Sequence, residues 1–416
     1  MKKRALVLSG GGTKGVYQCG AVSALKKLGK DNWDIITGTS VGALNAALLV
    51  QGDFDAMEAI YDNLEAEHVV NGYVPRDLSL PGLIRDHKNV LPVLGDYLKN
   101  EGLNISPFLD LLDRYFDPDR FLASPVDYGC MVTRKQGNVP VPVTKDMMRE
   151  NAKDWLVASA SAYPAFPVKV IDGEEYVDGG YADNSPIDLA MRLGAEEVTA
   201  VEMHEKVLHP GYVGREHITI IHPQHELFSL LEFDKVKMIR AKTLGYLDTM
   251  KTFQVLSGIR YAFRPFPLPE EYDRWYLQVM RLEAMAYRLG GKWTSQEPVM
   301  ETLRLFTHRA RLDYKEMFFA TLDVLMTIAG MDDTVVWEFD KAREELTAFF
   351  SREDADTTGA WSDVKALAGR EETIRYLLSL VRKTEEEDGQ DDITARAVTY
   401  PFVTALADFY LSMIRL

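Results

Sequence analysis

The chain has 416 residues, and its 47 Lys and Arg residues against 63 Asp and Glu residues give a formal net charge of −16. Its 46% hydrophobic and 26% charged residues are typical of a globular protein and exclude a disordered chain. The two cysteines are too few for a disulfide scaffold or a thiolate metal site and fit a reducing compartment. The acidic balance, with no basic block, excludes a general nucleic-acid binder.

The first 50 residues alternate between strand-like and helix-like segments. Residues 4–9 form a short apolar run typical of a buried strand, and the glycine cluster of residues 10–15 ends it. Residues 16–28 have helical spacing, residues 33–37 predict a second strand, and residues 42–50 predict a second helix. Strands that alternate with helices indicate parallel pairing and an α/β sheet.

The sheet is predicted to extend to about residue 222. Residues 51–125 are mostly helical in pattern, with loops at residues 72–81 and 102–107. Strand character then returns in six short segments, at residues 128–133, 139–143, 168–171, 175–177, 197–202 and 217–221.

The second half of the chain has a different pattern. Residues 264–269 are a proline-rich connector and mark a candidate boundary. Beyond it we expect no strands, a solvated charged loop at residues 383–392, and helices at residues 272–289, 298–329, 336–350, 371–382 and 399–416.

Membrane insertion is not expected. The apolar stretch near the start is too short for a signal peptide. Residues 41–50 contain Asn45 and residues 317–331 contain Asp323, so neither supplies the ~18 uninterrupted apolar residues of a membrane span. We therefore predict a soluble, cytoplasmic protein.

The first motif with chemical meaning is Gly10-Gly11-Gly12-Thr13-Lys14-Gly15, between a predicted strand and a predicted helix. Glycines there let backbone N–H groups approach a negatively charged oxygen closely. The spacing of Gly10, Gly12 and Gly15 also satisfies the dinucleotide-binding pattern G-x-G-x-x-G. A tight turn that binds no ligand is a further interpretation of the same residues.

The second motif is Gly38-Thr39-Ser40-Val41-Gly42, which lies between the second predicted strand and the second predicted helix. A G-x-S-x-G sequence in this context predicts a nucleophile elbow, with the serine hydroxyl raised above a helix N-terminus. Gly38 and Gly42 would provide the space that the sharp turn needs.

A base for such a serine could be Asp178, which is followed by Gly179 and Gly180. Asp-Gly also favours a two-residue hairpin turn, and that is the simpler interpretation of this segment alone. A carboxylate beside Ser40 could instead accept the hydroxyl proton.

The order GGGTKG, then GTSVG, then DGG resembles the patatin-like phospholipases, a family of serine acyl hydrolases. Residues 158–167 and residues 183–186, which flank Asp178, resemble that family as well. The similarity covers about residues 4–250, including residues 232–234 and 244–246. Residues from about 254 onward resemble no family.

The resemblance implies a three-layer α/β sandwich with a mainly parallel central sheet in residues 1–253, and residues 254–416 are then an all-helical C-terminal domain or cap. It also implies a catalytic dyad of Ser40 and Asp178, with the nucleophile elbow at Gly38 and Gly42 and the base loop at Gly179 and Gly180. Oxyanion stabilisation would come from the loop of Gly10, Gly11, Gly12, Thr13, Lys14 and Gly15.

The expected protein is a lipid acyl hydrolase that acts on a phospholipid or another acyl ester, with transient contact with a membrane surface and without a metal or organic cofactor. A non-catalytic lipid-binding or scaffold protein with the same fold is the competing interpretation. A catalytic triad is the mechanistic alternative, because a later histidine would follow the order Ser, Asp, His. A zinc site has little support, since no metal-binding motif accompanies the candidate histidines, which are His204, His209, His217, His222 and His225.

Overall fold

A computed structural model describes residues 2–72, 102–288, 299–309, 311–350 and 401–414 of the chain, with backbone only for residues 282–288 and 401–404. The chain divides into two compact units, Met1–Thr249 and Met250–Leu416.

The first unit is built on one sheet, which contains eight strands within the described residues. The spatial order is β5-β6-β3-β2-β1-β7-β8, and β4 also pairs with β3. Strands β2, β1, β7 and β8 run parallel, and the first half of β3 is parallel to β2, whereas β4, β5 and β6 are antiparallel to their neighbours. The strands are β1 (Arg4–Leu8), β2 (Ile35–Thr39), β3 (Asp127–Arg134), β4 (Val139–Thr144), β5 (Lys169–Ile171), β6 (Glu174–Asp178), β7 (Glu197–Val201) and β8 (Ile218–Ile221).

Helices cover both faces of the sheet. Ala5 and Val7 of β1 pack with Ile187 and Ala190 on one face. Because side chains alternate along a strand, Leu6 of β1 points to the opposite face, where the second helix contacts β1, β2 and β3. The mixed α/β class with a mainly parallel sheet is therefore confirmed. The helices are α1 (Gly15–Lys27), α2 (Val41–Val50), α3 (Phe54–Asn63), α4 (Ser106–Tyr115), α5 (Pro118–Ala123), α6 (Ala152–Ser159), α7 (Ile187–Arg192) and α8 (Lys235–Thr252).

Local sequence explains where several of these helices begin. The Asp53 side chain accepts the Ala56 N–H at the start of α3. Asp117 accepts the N–H groups of Asp119 and Arg120, and Pro118 takes the first helical position of α5. Within residues 51–125, the described part agrees with the predicted helical character, and the predicted loop at residues 72–81 lies almost wholly outside the described residues.

The second unit is mainly helical. Its described helices are α9 (Tyr272–Arg288), α10 (Val299–Thr307), α11 (Tyr314–Ile328), α12 (Phe339–Phe350) and α13 (Pro401–Phe409), and a π-helical turn, Tyr410–Ile414, follows the last of them. The expectation of no strands was wrong, because β9 (Ala262–Phe263) and β10 (Val336–Trp337) pair in parallel. The helix predicted at residues 371–382 and the loop at residues 383–392 lie outside the described residues.

The stretch at residues 298–329 forms two helices where one was predicted. His308 has a φ of 53°, which is outside the helical range, and it follows the end of α10. A capping box then starts α11, in which Asp313 accepts the Glu316 N–H and the Glu316 carboxylate accepts the Asp313 N–H.

Helix α11 is almost wholly buried in the core of the second unit, and it contains one acidic residue, Asp323. The Asp323 carboxylate accepts the N–H groups of Arg260 at 2.7 Å and Tyr261 at 3.4 Å. Burial raises the pKa of Asp323 to about 6, while these hydrogen bonds and nearby cations act in the opposite direction. Among the described residues, no helix is long and apolar enough to cross a bilayer.

Candidate active site

Ser40 lies in a sharp turn between β2 and α2. Strand β2 ends at Thr39, helix α2 begins at Val41, and Ser40 has φ 56° and ψ −130°. A Cβ atom on Gly42 would lie 2.2 Å from the Leu8 carbonyl oxygen, and one on Gly38 would lie 2.3 Å from the Gly42 carbonyl oxygen. Only glycine fits these two close approaches, so the glycines allow the strained serine conformation.

Asp178 lies beside this turn because two strands meet end to end along β3. Strand β2 pairs with the first part of β3, with Thr39 opposite Met131, and β6 pairs with the following part, with Asp178 opposite Val132. The two strands approach from opposite directions, so the residue after Thr39 and the last residue of β6 come together. Both side chains line the same cavity, and the Ser40 hydroxyl lies close enough to the Asp178 carboxylate to lower the pKa of that carboxylate.

Burial determines the electrostatics of this pair. Ser40 is 8% exposed and Asp178 is 7% exposed. The loss of solvation raises the pKa of Asp178 to about 6, while hydrogen bonds from Ser40 and from the Gly180 N–H, at 2.7 Å, favour the ionised form. A carboxylate with this pKa is a much better base near neutral pH than an exposed aspartate.

The loop predicted to follow the base begins directly after Asp178. Gly179–Tyr181 is a single 3₁₀ turn that Asp178 caps through its carboxylate. A Cβ atom on Gly179 would lie 2.1 Å from the Met131 carbonyl oxygen, and one on Gly180 would lie 2.9 Å from Asn184 Oδ1. The hairpin interpretation of Asp178-Gly179 was wrong, because this segment leaves the sheet in a helical turn.

The glycine loop lies next to Ser40, and most of its N–H groups are occupied. The Gly10 N–H donates to the Asn184 carbonyl, the Thr13 N–H to the Leu230 carbonyl and the Lys14 N–H to the Gly11 carbonyl. The Gly15 N–H donates to the carbonyls of residues 12 and 13. Among the described residues, the N–H groups of Gly11 and Gly12 have no protein acceptor.

Lys14 and Gly15 differ in position from the other residues of the loop. Gly10, Gly11, Gly12 and Thr13 line the same cavity as Ser40 and Asp178, whereas Lys14 and Gly15 are not among its lining residues. Burial lowers the pKa of Lys14, and the carboxylates of Glu226 and Glu205 act in the opposite direction. Lys14 therefore faces acidic side chains beside the loop.

An apolar cavity of about 350 Å³ opens beside Ser40. This volume lies within the roughly 300–1,000 Å³ typical of ligand sites. The polar groups of the wall are concentrated around Ser40, Asp178 and the glycine loop. Most of the remaining wall is aliphatic or aromatic, contributed by Leu44, Leu48, Ile60, Leu64, Val69, Phe108, Leu111, Leu112, Tyr115, Phe116, Leu156, Phe166 and Phe233.

Comparison with known families gives the same assignment as the motifs. The family model described as "Patatin-like phospholipase" matches residues 6–191, which contain the glycine loop, Ser40 and Asp178. Residues 6–191 are a patatin-like phospholipase domain. The resemblance inferred from the three motifs is confirmed.

Relatives of this domain occur in proteins of very different length. The Escherichia coli protein named cUMP-AMP-activated phospholipase is 27% identical over 234 residues, which are 51% of this chain and 64% of that protein. Lysophospholipase NTE1 of Meyerozyma guilliermondii is 28% identical over 204 residues, 48% of this chain and 12% of that protein. The crystal structure of VipD from Legionella pneumophila aligns with a TM-score of 0.41 and 14% identity, over 99% of this chain and 91% of that one. The chain spans less than two thirds of the length of these curated relatives.

The five candidate histidines of the first unit occupy separate places. His204 lines the cavity, and burial, followed by the charge of Lys14, lowers its pKa. His209 Nε2 lies 3.0 Å from Asp183 Oδ1. The other three, His217, His222 and His225, are not among the cavity-lining residues. Because His204 lines the cavity with Ser40 and Asp178, it is the histidine for which the triad alternative stays open.

A metal site at these histidines has no further support. Within the part of the chain that the structure describes, no three His, Cys, Asp or Glu side chains are grouped so that they could hold a metal ion.

Ser159, to which the motifs assigned no role, supports the turn at Ser40. Its hydroxyl donates to the Met131 carbonyl at 2.7 Å and accepts the Ser40 N–H at 3.0 Å, and its side chain is wholly buried. Two residues later, the Ser161 carbonyl accepts the Asp178 N–H at 2.8 Å. One short segment therefore holds the backbone of both Ser40 and Asp178. In the sequence, the sign of this role is the position of Ser159 within residues 158–167, the family-like segment that precedes Asp178.

We expect Ser159→Ala to lower kcat about 10–100-fold with a smaller change in KM, because the Ser40 N–H would lose its acceptor and the turn would shift. Leaving this buried N–H and the Met131 carbonyl without partners should also lower the free energy of unfolding by about 1–3 kcal/mol per group. Steady-state kinetics with a soluble ester and thermal melting measure both effects.

Ser161→Ala is the matched control for this change. Ser161 is also buried, but its hydroxyl donates only to the Val157 carbonyl, at 2.8 Å and one helical turn earlier. Its kcat should stay near the wild-type value. Equal kcat values for the two variants would contradict the role of Ser159.

Proposed function

We propose that this chain is a serine lipid acyl hydrolase, of the phospholipase A or carboxylesterase type, that forms a covalent acyl-serine at Ser40 with Asp178 as the base. The observation that supports this most strongly is the placement of Ser40 and Asp178, which are both buried and lie close together in the wall of an apolar cavity. The names of the two relatives, a phospholipase and a lysophospholipase, support a lipid ester as the substrate.

In the first half of the proposed reaction, Ser40 Oγ attacks the ester carbonyl carbon, and its proton passes to the Asp178 carboxylate. The carbonyl oxygen becomes an oxyanion, which the N–H groups of Gly11 and Gly12 are free to bind. When the carbon–oxygen bond of the leaving group breaks, that oxygen takes the proton from Asp178. An alcohol or a lysolipid leaves, and the acyl group stays on Ser40.

In the second half, a water molecule attacks the acyl-serine carbonyl and gives its proton to the ionised Asp178. The same N–H groups stabilise the second oxyanion. Collapse of this intermediate returns the proton to Ser40 Oγ and releases a fatty acid. An alcohol in place of water would turn the same step into acyl transfer.

The cavity favours an acyl chain over a polar acyl group. Its walls beyond Ser40 are aliphatic and aromatic side chains, which gain by burying a hydrocarbon tail. We therefore expect kcat/KM to rise as the acyl group of the substrate lengthens from acetyl to medium chains.

The alternative is a non-catalytic lipid-binding or scaffold protein that retains the fold. Such a protein has no need for a strained serine with φ 56° or for a buried carboxylate beside it. The presence of both features, together with unoccupied N–H groups, favours the enzyme.

A fluorophosphonate probe distinguishes the two functions, because it reacts with an activated serine. We expect it to label the wild type and Ser161→Ala but not Ser40→Ala, and we expect the same pattern for hydrolysis of p-nitrophenyl esters. A folded wild-type protein that neither reacts with the probe nor hydrolyses any ester of the series would support the scaffold.

A further inference from the structure

Exposed apolar side chains occur in the cavity wall and, a few residues further along the chain, in the first turns of helix α8. Leu230 lines the cavity and is 43% exposed, and its carbonyl accepts the N–H and the hydroxyl of Thr13 in the glycine loop. Phe233 also lines the cavity. One turn further along the chain, Val236 is 77% exposed and Ile239 is 60% exposed. These three exposed side chains, Leu230, Val236 and Ile239, form the rim patch.

The rim patch belongs to one tied segment. Asp234 caps α8 by accepting the N–H groups of Val236 and Lys237. Lys237 Nζ reaches back to the Glu232 carboxylate at 2.6 Å, and Glu232 accepts the Ser229 N–H at 3.0 Å. The turn that carries Leu230 and the first turn of α8 are therefore held together.

The first half of α8 is also basic in an acidic protein. Its first eight residues contain no acidic side chain and four basic ones, Lys235, Lys237, Arg240 and Lys242. Lys237 pairs with Glu232, and Lys242 pairs with Glu58 and Asp62. Lys235 is exposed beside Val236. Met238, Ala241 and Leu244 on the opposite face are buried, so the exposed face combines apolar and cationic side chains.

We propose that the rim patch, with Lys235, is the surface by which this protein docks on an anionic lipid bilayer. Apolar side chains flanked by cations on one helix face are typical of interfacial binding. Leu230 belongs both to the rim patch and to the cavity wall, and this favours a lipid surface as the occupant, because a lipid could pass from the bilayer toward Ser40. This inference rests on the proposed function, and it names the surface that would present the substrate.

The test measures docking and hydrolysis separately. Ser40→Ala protein, which cannot turn over lipid, is mixed with sedimentable vesicles of phosphatidylcholine containing about one fifth phosphatidylserine, to provide an anionic surface. The Val236→Ser/Ile239→Ser double variant in this background should bind at least about tenfold more weakly. The matched control, Val170→Ser/Val213→Ser, replaces two similarly exposed valines elsewhere in the first unit. In the same background it should bind vesicles as tightly as the Ser40→Ala parent protein.

With Ser40 intact, the rim double variant should hydrolyse vesicle lipid about tenfold more slowly and a soluble short-chain ester at the wild-type rate.

Equal vesicle binding by both double variants, or no binding by the Ser40→Ala parent, would overturn the docking proposal. Equal affinity of the parent for pure phosphatidylcholine vesicles would overturn the anionic preference. A change of oligomeric state in the rim variant, measured by light scattering, would instead assign the surface to a second copy of the chain. Loss of soluble-ester hydrolysis in the wild type would point to failure of the proposed function.

Discussion

The Asp178→Asn variant should lose roughly 10³–10⁴-fold in kcat/KM and yet unfold at a higher temperature than the wild type. Activity falls because an amide cannot accept the Ser40 proton. Stability rises because the wild-type carboxylate is ionised while buried, and its pKa is raised from 3.8 to about 6. A shift of this size corresponds to about 3 kcal/mol at pH values above both pKa values.

The pH dependence of this stability difference has a definite sign. Between about pH 4 and pH 6 the folded state binds more protons than the unfolded state, so the contribution of Asp178 falls as the pH rises. The stability advantage of Asp178→Asn should therefore be absent below about pH 4 and full above about pH 7. Thermal melting at several pH values measures it.

The same pKa predicts the pH profile of the wild type. If the ionised Asp178 carboxylate is the base, as proposed, kcat/KM for a soluble ester should rise with pH and level off above about 6. His204→Ala should keep most of this activity and this profile. Loss of activity in His204→Ala with retention in Asp178→Asn would exclude the dyad and favour a histidine base.

The Gly12→Ala variant should lower kcat/KM roughly 10²–10³-fold, the effect of losing one oxyanion donor. Gly12 has a φ of 56°, and a Cβ atom there would lie 2.1 Å from the Leu230 carbonyl oxygen. That oxygen is a backbone atom which also accepts the Thr13 N–H, so the glycine loop itself must shift. The shift would displace the N–H groups proposed to bind the oxyanion.

Gly29→Ala separates this clash from the cost of the backbone conformation. Gly29 has a φ of 64°, but no atom lies within 4 Å of a Cβ built there. It should lose about 1 kcal/mol of stability and retain full activity. Steady-state kinetics and melting temperatures of the two variants make the comparison, and unchanged activity in Gly12→Ala would count against the assigned role of the loop.

Local sequence was sufficient for most elements. Strand β1, helix α1 and helix α2 were predicted to within two residues, because apolar periodicity and glycine clusters act over short distances. The break between α10 and α11 could also have been found, since Asp313 and Glu316 have the spacing of a capping box. The two-residue strands β9 and β10 could not, because each depends on pairing with the other.

The two Asp-Gly pairs show where local sequence is insufficient. Asp172-Gly173 forms the hairpin turn between β5 and β6, with φ values of 52° and 82°. Asp178-Gly179, a few residues later, starts a 3₁₀ turn beside the cavity. The dipeptide permits both geometries, and the difference depends on which strands lie nearby.

The sequence by itself determined the family, the order of the motifs and the residue types available for chemistry, since each is written in short contiguous stretches. Only the tertiary structure decided that Ser40 and Asp178 come together, which N–H groups of the glycine loop stay unoccupied, and that Ser159 supports the turn. The first of these follows from the register of β2 and β6 along β3, where Thr39 lies opposite Met131 and Asp178 opposite Val132. Such a register joins distant parts of the chain and is set by how the whole sheet packs, which no local preference encodes.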